Sequence, residues 1–321
     1  MNEGNYAVLD LGTNTFNILI VNIQNNVKTI VEHGRHSVKI GKGGIQNNFI
    51  TDEAIDRAIE AVIKFKKLID NYNIASTDVK ALATSAFRNA KNGQDLVDKI
   101  YNQTGIKVEV IDGDKEAELI YFGVKAALDI GDETALIMDI GGGSVEFIIC
   151  NEHHIFWKKS YEIGAQRLLD MFHKNDPIKS DSIDEMLNYL QVALVELQKQ
   201  VKLFKPKTLI GSSGTFDTLC EIYIKEFNID YELESGTEFE LPINYFGEVF
   251  YKLVTKNLAD RKLIPGMSLM RVDMIVVSVC LIDYVLKNFY INKLRVSFYS
   301  LKEGMLYLMT SKKGVAVDTL Y

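Results

Sequence analysis

Two acidic residues, Asp139 and Glu146, bracket the run GGGS inside ALIMDIGGGSVEF (135–147). Glycines let a ligand approach the backbone closely. Free amides and the Ser144 hydroxyl can then donate hydrogen bonds to an oxyanion. An aspartate that closes the preceding strand can hold Mg2+ beside phosphates, directly or through water. That is phosphate chemistry, and a second copy of the pattern strengthens it. Laying residues 7–21 on 136–150 matches AVLDLGTNTFNILIV to LIMDIGGGSVEFIIC without a gap. Asp10 falls on Asp139, Gly12 on Gly141, Thr15 on Ser144 and Asn17 on Glu146. One such turn could be an ordinary glycine-rich hairpin. Two in register point to two related α/β domains, each presenting one loop.

The elements around the loops are those needed to present them. YAVLDLG (6–12) reads as a buried strand, and 16–23 with 27–33 as a hairpin turning at Gln24-Asn25-Asn26. An amphipathic helix over 51–72 has Thr51 as its N-cap and Ile55, Ile59, Val62 and Ile69 on one face. Strand, helix, strand and helix follow at 79–85, 93–103, 107–111 and 114–128. The cycle then restarts with strand 134–143, hairpin 145–150/154–163, a long helix at 180–204 and strand 207–215. Helices at 215–227, 244–256 and 267–289, strand 293–297 and helix 300–309 complete the chain. Strands alternating with helices after a hairpin imply an α/β sheet.

The 321 residues are 47% hydrophobic and 25% charged with net charge −7, as expected of a soluble globular chain without a nucleic-acid partner. The start carries no basic region of a signal peptide. The apolar run MIVVSVCLI (274–282) is too short to span a bilayer, so no membrane partner is expected. Cys150, Cys220 and Cys280 lack metal-site spacing and read as reduced core residues of a cytoplasmic protein.

Five pieces stand in one order: DLGTNTF (10–16), ATSAFRNA (83–90), DGDKEAELIYFGV (112–124), DIGGGSVE (139–146) and GSSGT (211–215). PGMSLMRVD (265–273) and LKEGML (301–306) extend them. The set resembles the exopolyphosphatase/guanosine pentaphosphate phosphohydrolase (Ppx/GppA) family of the actin-like ATPase superfamily, in a short form without that family's C-terminal helical region. The resemblance implies two actin-like (ribonuclease H-like) α/β domains with mixed sheets flanked by helices and the active site between them. Domain I would comprise 1–125, joined by a C-terminal helix at about 301–321, and domain II 126–300. A homodimer would follow family habit.

The resemblance also implies a reaction, release of terminal orthophosphate from inorganic polyphosphate or guanosine pentaphosphate with water and Mg2+. Glu116 matches the catalytic glutamate, Arg88 the phosphate-binding arginine, and Asp139 and Glu146 the Mg2+ ligands, with Asp10 in support. Gly12, Thr13, Asn14 and Thr15 of one loop, and Gly141, Gly142, Gly143 and Ser144 of the other, would cradle phosphates. Gly211, Ser212, Ser213, Gly214 and Thr215 match a third loop, which touches a distal phosphate or a guanosine, or else is a plain strand-to-helix turn. Lys115 stands where relatives often carry a second acid and could tune Glu116. The basic segment 32–45, with Arg35, Lys39 and Lys42, either guides a polyanion or is a solvated loop. Two other readings remain open: an ATP-hydrolysing or kinase-like enzyme of the superfamily, and a catalytically weak sensor of guanosine tetra- or pentaphosphate.

Overall fold

The apolar strands read from the sequence assemble into two sheets in a computed structural model that describes residues 3–25, 27–231 and 236–310. The first has the order β3-β2-β1-β4-β5, from β1 (Gly4–Leu11), β2 (Thr15–Gln24), β3 (Val27–Ser37), β4 (Val79–Ala83) and β5 (Val108–Val110). The second contains β6 (Ala135–Ile140), β7 (Val145–Cys150), β8 (Ile155–Tyr161), β9 (Thr208–Ser212), β10 (Glu238–Leu241) and β11 (Lys293–Ser297). Its order, β8-β7-β6-β9-β11-β10, repeats the first and adds β10 at the edge. In each sheet an antiparallel meander feeds a parallel half. The short internal repeat thus extends to the whole strand order, the doubled mixed sheet expected of two actin-like domains.

Helices α1 (Asp52–Asn71), α2 (Ser85–Asn89) and α3 (Gly93–Thr104) belong to the first half. The Thr51 hydroxyl caps α1 by accepting from the Ala54 amide at 3.3 Å, as its sequence implied. Asn25 turns the β2–β3 hairpin with φ 50°, while Asn26 lies outside the described residues. The second half carries α5 (Ala165–Phe172), α6 (Ser180–Ala193), α7 (Val195–Phe204), α8 (Gly214–Phe227), α9 (Ile243–Thr255), α10 (Leu258–Lys262) and α11 (Ile275–Asn288).

Between the sheets lie α4 (Gly113–Ala127) and α12 (Leu301–Thr310). α4 packs on β7 and β8, and α12 on α4 and β1. The two helix backbones cross almost in contact. A Cβ on Gly304 would lie 1.8 Å from the Leu119 carbonyl oxygen, and one on Gly123 would lie 2.0 Å from the Ser300 carbonyl oxygen. Only glycine permits that approach. β6 and β7 are covered on both faces, by Leu168, Phe216 and Ile275 on one side and Ile120, Phe122 and Leu301 on the other. That is why they read as unbroken apolar runs rather than alternating strands.

Two helix boundaries differ from the sequence reading. The helix expected at 180–204 breaks at Leu194, a fully buried residue at φ −101° and ψ 17° whose amide bonds to Leu190 and Val192 carbonyls. Burying that side chain outweighs helical continuity, and the apolar period does not reveal it. The helix expected at 267–289 starts only at Ile275, because Gly266 at φ +85° opens a series of turns through Met274. Those turns bring Arg271 and Asp273 towards the other half. No helix among the described residues is long and apolar enough to cross a membrane. Cys150, Cys220 and Cys280 are buried and free.

Candidate active site

The two matched loops have the same internal geometry. Asp10 pairs with Asn17 across β1–β2 as Asp139 pairs with Glu146 across β6–β7. The Gly12 amide donates to the Thr15 carbonyl at 3.2 Å, and the Gly141 amide to the Ser144 carbonyl at 3.0 Å. The loops also meet. A Cβ on Gly142 would lie 2.3 Å from Asn14 Nδ2, and one on Gly143 would lie 2.5 Å from Ser85 Oγ. Between them is a cleft of about 80 Å3.

Most of the expected residues line this cleft: Asp10, Gly12, Thr13, Asn14, Thr15, Glu116, Asp139, Gly141, Gly142, Gly143, Ser144 and Ser213. Arg88 and Glu146 do not line it, and Arg88 reaches the wall through Glu116. Arg88 Nη1 donates to Glu116 Oε2 at 3.0 Å and to the Ile111 carbonyl at 2.9 Å. Glu146 Oε1 accepts from Ser160 Oγ at 2.7 Å. The third loop departs from a phosphate cradle. Ser212 and Ser213 hydroxyls donate to the two oxygens of Asp139 at 2.6 and 2.8 Å, joined by Ser300 Oγ at 2.5 Å. Gly211 packs under the Phe216 ring and Gly214 against the Arg271 guanidinium, so neither they, Ser212 nor Thr215 reaches the cleft. The loop fixes a carboxylate instead.

The strand ends crowd carboxylates together away from water. Glu116 is 6% exposed. Its pKa is pushed well above the ordinary value by burial first and then by Glu146 and Asp139, while Arg88 pulls it down. Burial, followed by Asp139, raises Glu146 to about 8 against the pull of the Ser160 and Ser144 hydroxyls. Burial raises Asp10 to about 6, opposed by Lys302 and by Asn17, whose amide donates to Asp10 at 3.0 Å. Lys115 reaches Glu118 at 3.5 Å rather than Glu116, so it does not tune that carboxylate by contact.

Sequence reasoning passed over Arg271, which lines the cleft and packs against Gly214. Burial lowers its pKa, and Arg35 adds to that. Its motif, PGMSLMRVD, had been noted without a role for the arginine. The basic segment is partly used within the protein. Lys39 pairs with Asp273 of the other half at 2.6 Å, and Arg35 Nε donates to Asn17 Oδ1 at 3.2 Å.

The sequence pattern of the Ppx/GppA phosphatase family matches residues 19–313. The chain belongs to the Ppx/GppA phosphatase family. Among solved structures, an exopolyphosphatase from Cytophaga hutchinsonii superposes with a TM-score of 0.92 at 45% identity, over 95% of this chain and 97% of that one. A bifunctional 3-dehydroquinate synthase/phosphatase of Fusobacterium nucleatum is 31% identical over 295 residues, 88% of this chain and 43% of the relative. A guanosine-5'-triphosphate,3'-diphosphate pyrophosphatase of Photobacterium profundum is 26% identical over 96% of this chain and 59% of the relative. The chain spans about half the length of these last two. With the Ppx/GppA fold established, the shared strand order explains why the two glycine loops face each other: each closes the first hairpin of its own sheet.

The chemistry of this Ppx/GppA cleft suits a hard divalent cation. Asp10, Glu116, Asp139 and Glu146 bring four carboxyl groups close together, each acting on at least one of the others. Asn14 Oδ1 is buried in the same place without a partner. Among the described residues no three acidic, histidine or cysteine side chains converge as a ready cage. That arrangement fits Mg2+, which keeps waters and takes one or two carboxylates plus substrate phosphates. It does not fit a closed zinc site.

Proposed function

We propose that the protein is a Mg2+-dependent phosphohydrolase that releases terminal orthophosphate from inorganic polyphosphate, with guanosine pentaphosphate as the second substrate. The observation that carries this reading is Glu116, a buried carboxylate of raised proton affinity held by Arg88 in a cleft between two matched phosphate loops. Among the described residues the cleft wall includes Ile120, Ile140 and Leu301 but no aromatic side chain on which a base could stack, which favours polyphosphate.

On this account the backbones of Gly12–Thr15 and Gly141–Ser144 grip the phosphate chain from both sides. Glu116 orients a water and takes its proton. The water oxygen bonds to the terminal phosphorus as the bridging P–O bond breaks, and the shortened chain leaves with the bridging oxygen. Arg88 holds Glu116 and, with Arg271, offsets the charge on the transferring group. Asp139, Glu146 and Asp10, with Asn14 Oδ1, would hold Mg2+, which neutralises the phosphate oxygens when bound. Asp139 is held for that task by Ser212, Ser213 and Ser300.

The test is orthophosphate release from short polyphosphate, long polyphosphate, guanosine pentaphosphate and ATP, each with Mg2+ and with EDTA. The expected order places short polyphosphate first and ATP last, with activity lost in EDTA. Preferred turnover of ATP, or full activity in EDTA, would overturn the reading.

A further inference from the structure

A second pocket lies in the half built on the β6–β11 sheet, away from the cleft. It measures about 560 Å3 and is bounded by the ends of α7 and α11. Val201, Pro206, Tyr284 and Phe289 form a buried floor. Lys202, Lys205 and Lys207 stand on its rim, and no acidic residue lines it. Among the described residues these lysines make no ion pair or side-chain hydrogen bond. In a chain of net charge −7, three unpaired cations around an apolar floor mark a place suited to an anion with an apolar body.

The backbone supplies an independent observation. Eight non-glycine residues among those described have positive φ. Asn25, Asn48, Asn73 and Asn228 are asparagine, which tolerates left-handed geometry. Of the other four, Ser213 lines the cleft and binds Asp139, and Lys39 pairs with Asp273 across the two halves. Lys205 (φ 49°) and Tyr290 (φ 55°) both line the second pocket. Each follows a helix end where glycine or asparagine would sit at lower cost. Gly105 and Asn228 do so elsewhere in the chain. The Tyr290 side chain is also 87% exposed, so packing does not explain it. Costly backbone of this kind collects at functional sites.

We propose that this pocket binds a nucleotide, a planar ring bearing phosphates. The ring stacks on Tyr290 above the apolar floor, and the phosphates meet Lys202, Lys205 and Lys207. Gln191 and Asn288 on the rim supply polar groups for the edge of the ring. Lys207 and Ser213 flank β9 at opposite ends, so the pocket and the cleft are about 20 Å apart at ~3.3 Å per residue. The site is therefore a binding site rather than part of the hydrolytic cleft.

Photolabelling the full chain with 8-azido-ATP, then mapping the modified peptides, tests this. Its readout does not depend on hydrolysis in the cleft. Label is expected on 202–207 and 284–291, with protection by ATP and at most twofold protection by tripolyphosphate at the same concentration. Lys205→Gly and Tyr290→Gly should each lower this labelling at least fivefold. Both place glycine where left-handed backbone favours it, so the melting temperature should hold or rise. Lys202→Gln, on regular helix, should lower labelling without touching that backbone. Label confined to cleft peptides, undiminished labelling in all three variants, or equal protection by tripolyphosphate would overturn the proposal.

Discussion

Crowded carboxylates make the protein's stability depend on pH, and Glu146 gives the most direct handle. Folding raises its pKa from 4.5 to about 8 through burial and the nearby Asp139. The folded protein thus keeps a proton that the unfolded chain has already released above about pH 4.5. The resulting stabilisation is complete below that pH and is lost as pH rises towards 8. Each pKa unit corresponds to about 1.4 kcal/mol, so the loss is on the order of 5 kcal/mol, with Glu116 and Glu146 deprotonating as a pair. At a few degrees per kcal/mol, the metal-free melting temperature should fall by on the order of 10 °C between pH 5 and 8. Glu146→Gln removes the charge while an amide oxygen still accepts from Ser160, and should at least halve that slope. Mg2+ should restore stability mainly at the alkaline end, where the carboxylates are ionised. Thermal melts in EDTA and in MgCl2 across this range give the answer. A flat or rising melting temperature in EDTA, or a full slope in Glu146→Gln, would refute the reasoning.

Three further outcomes follow. Gly304→Ala drives a methyl to 1.8 Å from the Leu119 carbonyl oxygen, a backbone atom that cannot swing aside. It should destabilise by at least ~1–3 kcal/mol in urea unfolding. Arg271→Ala should raise KM for polyphosphate at least tenfold, with a smaller effect on kcat, because a cleft-lining guanidinium is lost. Arg88→Lys cannot reproduce the paired bonds to Glu116 and the Ile111 carbonyl, and should lower kcat by about 10²-fold with little change in melting temperature.

Much of the architecture was legible because it rests on local patterns. The fifteen-residue match between the loops carried the doubled sheet, and Thr51 marked the start of α1. Leu194 was not legible, since a buried break leaves the apolar period intact. β10 and α5 escaped notice because short elements at the sheet's edge and beside the loop carry weak periodicity. At the site, Asp10 and Asp139 could be placed because each stands at the end of a strand beside its loop, and Glu116 came from the resemblance to the family. Arg271 could not, since it comes from irregular turns that only tertiary packing brings to the cleft. The serines of GSSGT were read as touching a distal phosphate or a guanosine, or as part of a plain strand-to-helix turn. Their type was informative, but only the structure shows that Ser212 and Ser213 face Asp139.

The central claim is that Glu116 activates water against a terminal phosphate. The most direct measurement is the rate of orthophosphate release from short-chain polyphosphate with Mg2+, comparing the wild type with Glu116→Gln. That substitution keeps the side chain's shape and an acceptor for Arg88. The account predicts a loss of at least ~10²-fold, as expected for a positioned general base, with the fold intact by circular dichroism. A folded Glu116→Gln protein that retains wild-type turnover would contradict it.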